Sequence, residues 1–238
     1  MAAARTHAAG GPGDGGAGVG GSGGARGGSG GSRDGGSGGG GEAPAAFLRA
    51  LTALEVAPHR PEVHFGGLPA PRRLAPHAHA MEAVVQVDGE ELADGRFVML
   101  YDPEGQEPWQ GDFRIVTLGR TELDVEMAAD PLLPEVTWTW LTGALDAHGV
   151  AYTAPSGTVT RSGSSFFGGL ADRTPHAELE VRASWTPVAP AGGGAVPDVG
   201  AHLVAWCELL CQCAGLPPRE GEGGAVVTLP QRRGPRSV

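Results

Sequence analysis

Three observations predict an α+β domain, a five-stranded, mainly antiparallel sheet with helices on one face in the order α-β-β-β-α-β-β-α. Period-2 alternation recurs in segments joined by short turns. Apolar stripes at helical spacing occur at three separate places. The strands come in runs of three and two rather than alternating singly with helices, so a parallel sheet is not expected.

The first helix runs from Pro44 to Ala57, with Phe47, Leu48, Leu51 and Leu54 on one stripe. Pro58, Pro61, Pro69, Pro71 and Pro76 break the next stretch. It reads as extended and irregular, with at most a short strand near Val63 to Phe65. Met81, Ala83, Val85 and Val87 then alternate with Glu82 and Gln86, and Asp88-Gly89 begins a turn. Arg96–Tyr101 is apolar on both faces, as a central strand requires, and Asp112–Leu123 supplies the third strand of a meander. Asp130 or a neighbour starts the second helix, Pro131 and Pro134 fit only its first turn, and Gly149 fits the position just past its end. Trp138, Leu141 and Leu145 form one of its stripes, with Val136, Trp140 and Ala144 on an adjacent one. Strands near Thr158–Phe166 and Ala177–Trp185 follow. The clean alternation of the second leaves one face of the sheet wet. Asp198 caps the last helix, Val199, Leu203, Trp206, Leu210 and Cys213 point inward, and Gly215 closes it.

Composition divides the chain into a Gly-rich tail (1–43), one domain (44–216) and a loose C-terminal tail (217–238). The first tail holds 20 of the 42 glycines and no net charge, so it cannot offset its ordering entropy and reads as disordered. Pro187–Pro197 reads as a flexible linker. The rest of the chain carries the whole net charge of −10. An acidic surface argues against nucleic acid and membrane surfaces as partners, although a few clustered arginines can overrule this locally. No apolar run reaches the ~20 residues of a membrane span, and no secretory leader is visible. Lysine and asparagine are absent and Ile115 is the single isoleucine. That pattern is the codon bias of a GC-rich genome, and it excludes Schiff-base and Walker-lysine chemistry. Three cysteines confined to Trp206–Cys213 are no disulfide framework. A cytoplasmic location fits these features.

The best site candidate is the hairpin loop from Asp102 to Asp112, where Asp102, Glu104, Glu107 and Asp112 gather around Trp109. Carboxylates can hold Mg²⁺ or act as acid and base, but the spacing is not that of an EF-hand. The plainer readings are a turn built by Asp-Pro, Glu-Gly and Gly111, or a protein contact anchored by Trp109. Cys207 and Cys211 share a helix face, yet four zinc ligands at loop spacing are missing, so the thiols read as packing. His77 and His79, preceded by His59 and His64, read as exposed loop histidines. Ser162–Gly169 lacks a nucleophile elbow, and Asp146 and His148 face different ways on their helix. No cofactor motif and no metal set is expected.

The runs GRFVMLYDPEGQEPW (95–109), MAADPLLPEVTWTWL (127–141) and DAHGVAYTAPSGTVT (146–160) resemble the DUF3000 family of actinobacterial proteins. The resemblance covers about residues 45–217 and brings no reaction or catalytic residue with it. The order of elements is also similar to type III secretion chaperone-like and YbjN-like domains, whose exposed surfaces bind other proteins, a likeness of fold alone. The functional expectation is therefore a cytoplasmic, non-catalytic protein-binding or adaptor domain with a protein partner. The alternative is a small hydrolase or metal-assisted enzyme built on the 102–112 loop. The sequence leans away from an enzyme, and oligomeric state is not legible in it.

Overall fold

The computed structural model describes residues 43–71, 73–189 and 196–217. The expected tails (apart from Ala43 and Pro217) and most of the Pro187–Pro197 linker lie outside the described residues. The fold is α+β as expected, with six strands rather than five. All pair antiparallel, in the order β1-β2-β3-β4-β6-β5.

The added strand is β1 (Val63–Leu68), which pairs with β2 (His77–Val87). Its Gly66-Gly67 interrupts any apolar alternation, and flanking prolines are tolerated because β1 is an edge strand. A Cβ on Gly66 would lie 2.7 Å from Oε1 of Glu82, so the glycine makes room for that side chain. β2 also starts four residues before Met81, which places His77 and His79 in a strand rather than a loop. β3 (Glu90–Gln106) follows through Asp88 and Gly89, both at positive φ (52° and 84°), the geometry of a two-residue hairpin. β4 (Gly111–Leu123) completes the meander.

A single helical turn, α2 (Val125–Ala128), is a further element absent from the sequence reading. It leads to α3 (Leu133–Ala147). α3 closes on Gly149 (φ 63°), with Gly149 N–H donating to the Asp146 carbonyl and Val150 N–H to that of Leu145. These are the paired bonds of a Schellman end. The chain then runs out to the far edge as β5 (Tyr152–Ser164) and returns as β6 (His176–Pro187), which inserts between β5 and β4. α4 (Val199–Cys213) starts at Asp198, whose Oδ1 accepts from Ala201 N–H at 3.1 Å, and ends at Gly215 (φ 75°) in the same way as α3.

α4 is buried almost all round rather than along one stripe. It lies on β2, β3 and β4 and is flanked by α3 and by α1 (Ala45–Glu55). Glycines in the strands beneath bring it close. A Cβ on Gly95 would meet the Trp206 ring at 2.7 Å and the Leu118 carbonyl at 2.6 Å, and one on Gly119 would meet Leu210 at 2.9 Å. Trp206 tilts against Phe97, with ring centroids 5.6 Å apart. Beside it, the Trp185 indole N–H donates to Nδ1 of His202 at 3.1 Å. Burial holds the His202 pKa at about 4 against a weaker opposing pull from Asp198, so the ring stays neutral and accepts that bond.

Gly95→Ala should destabilise the domain by about 1–3 kcal/mol through overpacking, where a glycine with room would gain about 0.4–1 kcal/mol. Urea midpoints decide the sign. His202 supplies a pH test. Its folded pKa lies below the unfolded 6.5, so its contribution is complete above that pH and is lost as pH falls toward 4. Between about pH 7 and pH 4 the wild type should lose roughly 3 kcal/mol more stability than His202→Gln. A pH-independent gap between the two would contradict the assignment.

Candidate functional site

α1, α3 and α4 leave the other side of the sheet uncovered by any long helix. The pairing register writes that face as rows running across the strands. One row is Leu68, Ala80, Val98, Val116, Ser184 and Ser156. The neighbouring row is Gly66, Glu82, Arg96, Leu118, Arg182 and Thr158, and beyond it lies His64, Val84, Asp94, Arg120, Glu180 and Thr160. On the opposite side of the apolar row, Ala78 and Leu100 lead to Arg114. An apolar band thus runs across β1 to β4, with Arg96, Arg120 and Arg182 on one side and Arg114 on the other.

A recess of about 640 Å³ opens on this face over Val98, Val116 and Leu118, edged by Arg96, Arg120, Arg182 and the hydroxyls of Ser156 and Ser184. Of the nine arginines among the described residues, four (Arg96, Arg114, Arg120 and Arg182) belong to this face. The same face carries Glu82, Asp94 and Glu180 in its rows and Glu122 and Glu178 beyond Arg120, so cations and carboxylates are interleaved along it. Arg120 and Arg182 share Glu180, at 2.7 and 2.6 Å. Arg96 forms no ion pair among the described residues.

Arg114 is the unusual member. It is only 8% exposed, and no carboxylate among the described residues pairs with it. Nη1 donates to the Ala154 carbonyl and to Thr186 Oγ1, both at 3.0 Å, and Nη2 donates to Ser184 Oγ at 2.7 Å and Ser156 Oγ at 3.2 Å. Desolvation lowers the pKa of the guanidinium, which nonetheless stays charged at any ordinary pH. Ser184 and Thr186 belong to β6, while Ala154 and Ser156 come from β5, at a bulge between Thr153 and Ser156 where Ala154 holds φ 47°. The bulge turns that carbonyl toward the arginine, the re-aiming such irregularities permit. Sequence reasoning did not single out Arg114. The one available signal was a charged residue inside the apolar run Phe113–Val116, with serine and threonine at alternate positions of both later strands.

The 102–112 loop meets this network. Thr186, besides accepting from Arg114, donates its hydroxyl to the Trp109 carbonyl. Asp102 is half-buried and spends both oxygens inside the loop, Oδ1 on the Glu104 N–H and Oδ2 on Gln106 Nε2, each at 3.1 Å. Glu104 and Glu107 are exposed, Trp109 and Asp112 half-buried. Gly105 (φ 71°) and Gln110 (φ 59°) carry the reversal. Among the described residues no group of three or more His, Cys, Asp or Glu converges as a metal would require.

The remaining candidates scatter. Cys207, Cys211 and Cys213 are buried without a disulfide. Burial raises the Cys207 thiol pKa well above its usual value and pushes Cys213 up to about 12, so neither offers a thiolate. His77 and His79 lie on the helix side of β2, half-buried, with His77 tilted against Phe47 and Tyr101. Burial lowers the His79 pKa against the pull of Glu55. His64 lies on the opposite face, and His59 packs edge-on against Phe65. In Ser162–Gly169, Phe166 stacks against His176 and under Arg173, leaving Phe167 exposed. Asp146 is engaged by the Tyr152 hydroxyl.

A family model described as "Protein of unknown function (DUF3000)" matches residues 43–223. Neither a curated protein nor a solved structure matches the chain, so the similarity in element order to type III secretion chaperone-like and YbjN-like domains has no structural counterpart here.

Thr186→Val, which keeps the side-chain shape, removes both the acceptor for Arg114 and the donor to Trp109. It should cost about 1–3 kcal/mol and speed amide hydrogen exchange between Glu104 and Gly111. Unchanged exchange there would show that the loop is held by something else.

Proposed function

The chain belongs to the DUF3000 family, and on that premise we propose that the domain is a non-catalytic protein-binding adaptor that presents the open face of its sheet to a partner in the cytoplasm. The observation that carries this reading is the partly exposed apolar band of Leu68, Val98 and Val116, with Ala80 buried between the first two, set across the face that the long helices leave bare. A wet antiparallel face normally reads polar along each strand. Here Val84, Val98, Val116 and Leu118 stay partly exposed at the positions where polar residues belong. Apolar area kept in contact with water and rimmed by polar groups is the pattern of a contact surface.

Two further features support the reading. The 102–112 carboxylates, the basis of the alternative enzyme, divide between turn construction by Asp102 and exposed positions at Glu104 and Glu107. Three buried thiols on one helix suit a reducing compartment, and no helix among the described residues is long and apolar enough to cross a membrane.

Val98→Asp with Val116→Asp places charge on the band without touching the helix-side core. The two aspartates would face each other across β3 and β4, so we expect the domain to stay folded at a cost of about 1–3 kcal/mol, while partners recovered by affinity purification from the native host under mild crosslinking disappear. Leu48→Asp, on the exposed side of α1, serves as the control and should retain them. Recovery of the same partners by all three proteins would sink the proposal.

A further inference from the structure

The recess on the open face has a charge pattern that specifies more than an apolar contact. We propose that it takes a short acidic–apolar peptide segment of the partner, with one or two carboxylates seated by Arg96 and Arg182 over the Ser156–Ser184 hydroxyls and β-branched or aliphatic side chains on the band. This rests on the docking reading and names the chemistry of what docks.

The positive charge left without a carboxylate partner lies at Arg96 on the rim and at Arg114 behind the floor. Arg120 is fully engaged, with Glu180 at 2.7 Å, Glu178 at 3.8 Å and its cross-strand neighbour Asp94 close by, and Arg182 shares Glu180 at 2.6 Å. Arg96 has no ion-pair partner among the described residues, and its cross-strand neighbour Glu82 leans over Gly66 instead. Behind the floor, Arg114 keeps a charge that only neutral hydroxyls and a carbonyl contact. Removing a guanidinium from water without a counter-ion costs several kcal/mol, and that cost falls when an anion arrives nearby. The hydroxyls are ready to mediate. Ser156 Oγ and Ser184 Oγ lie 3.1 Å apart, so one proton joins them and the other is free to point into the recess. Both oxygens accept from Arg114, which polarises that remaining donor.

The flanks decide between a peptide and a polyanion. Asp94, Glu122 and Glu178 line the face beyond Arg120, and Asp102 and Asp112 stand at the other end, near the loop. A phosphate backbone laid across the sheet would cross these carboxylates. There is also no Phe, Tyr or Trp among the open-face positions of the described strands on which a base could stack. One or two localised carboxylates fit between the acidic ends.

Selection of a random peptide display library against the full chain tests the proposal. Enriched peptides should combine Asp or Glu with Val, Ile or Leu. Replacing their acids by the amides, or using the Arg96→Gln/Arg182→Gln variant, should each weaken binding at least about tenfold, and added salt should weaken it further. Both arginines are exposed, so the variant's unfolding midpoint should stay near that of the wild type. Enriched peptides without acidic residues that still lose binding with Val98→Asp would overturn this inference and leave the docking reading standing. A library that yields no binder overturns the inference, as does displacement of the acidic peptides by a short oligothymidylate at comparable concentration.

Discussion

The depth to which α4 settles into the sheet is the constraint on which the rest depends. Gly95 and Gly119 remove two side chains from the strand surface, and the Trp206 ring and Leu210 occupy the space they vacate. Burial of a large aromatic side chain is among the largest single contributions a small domain can make to its stability. Trp206 is there for its area, because its indole N–H makes no hydrogen bond among the described residues. With α4 set so low, α1 and α3 can close over its flanks, which is why a helix that looks one-sided is apolar on most of its surface.

Concentrating the helices on one side fixes what the other side must be. The same backbone alternation that sends Phe97, Met99 and Tyr101 to the helices sends Arg96, Val98 and Leu100 the opposite way. Polar residues alone would make that side an ordinary wet surface. The valines and the arginines that rim them are therefore a departure from what folding requires, and such departures are where function is sought. Arg114 is the strongest case. A buried cation compensated only by uncharged acceptors is a costly way to fill a strand position, and local stability offers no reason for it.

Legibility in the sequence followed the range of the interaction. Caps and turns were readable because their causes lie within a few residues. Asp198, Gly149, Gly215 and Asp88-Gly89 do in the structure what their residue types imply. The alternating strands and the bare face were readable too. β1 was legible only as a short strand near Val63–Phe65, because its pairing with β2 rather than its own pattern makes the strand. His77 and His79 were missed for a related reason, since pairing with Tyr101 and Met99 of β3 is what extends β2 toward Pro76. The Arg114 cluster was out of reach. Its acceptors come from Ala154, Ser156, Ser184 and Thr186, at least forty residues away along the chain, and a bulge that no local signal announces aims the carbonyl. The 102–112 loop drew attention for its carboxylates, whereas the contact that ties it to the open face is the main-chain carbonyl of Trp109.

The position of β6 has a consequence for synthesis. This strand is made after β5 yet lies between β5 and β4, so the sheet cannot close in chain order. Until His176–Pro187 has left the ribosome, β4 presents a full-length unpaired edge, with apolar residues on both sides of it. Free strand edges of that kind invite pairing with the wrong chain. The nascent domain is therefore most vulnerable to misassembly over the interval in which α3 and β5 are being made, and α4, the element that completes the core, arrives only after the edge has been filled.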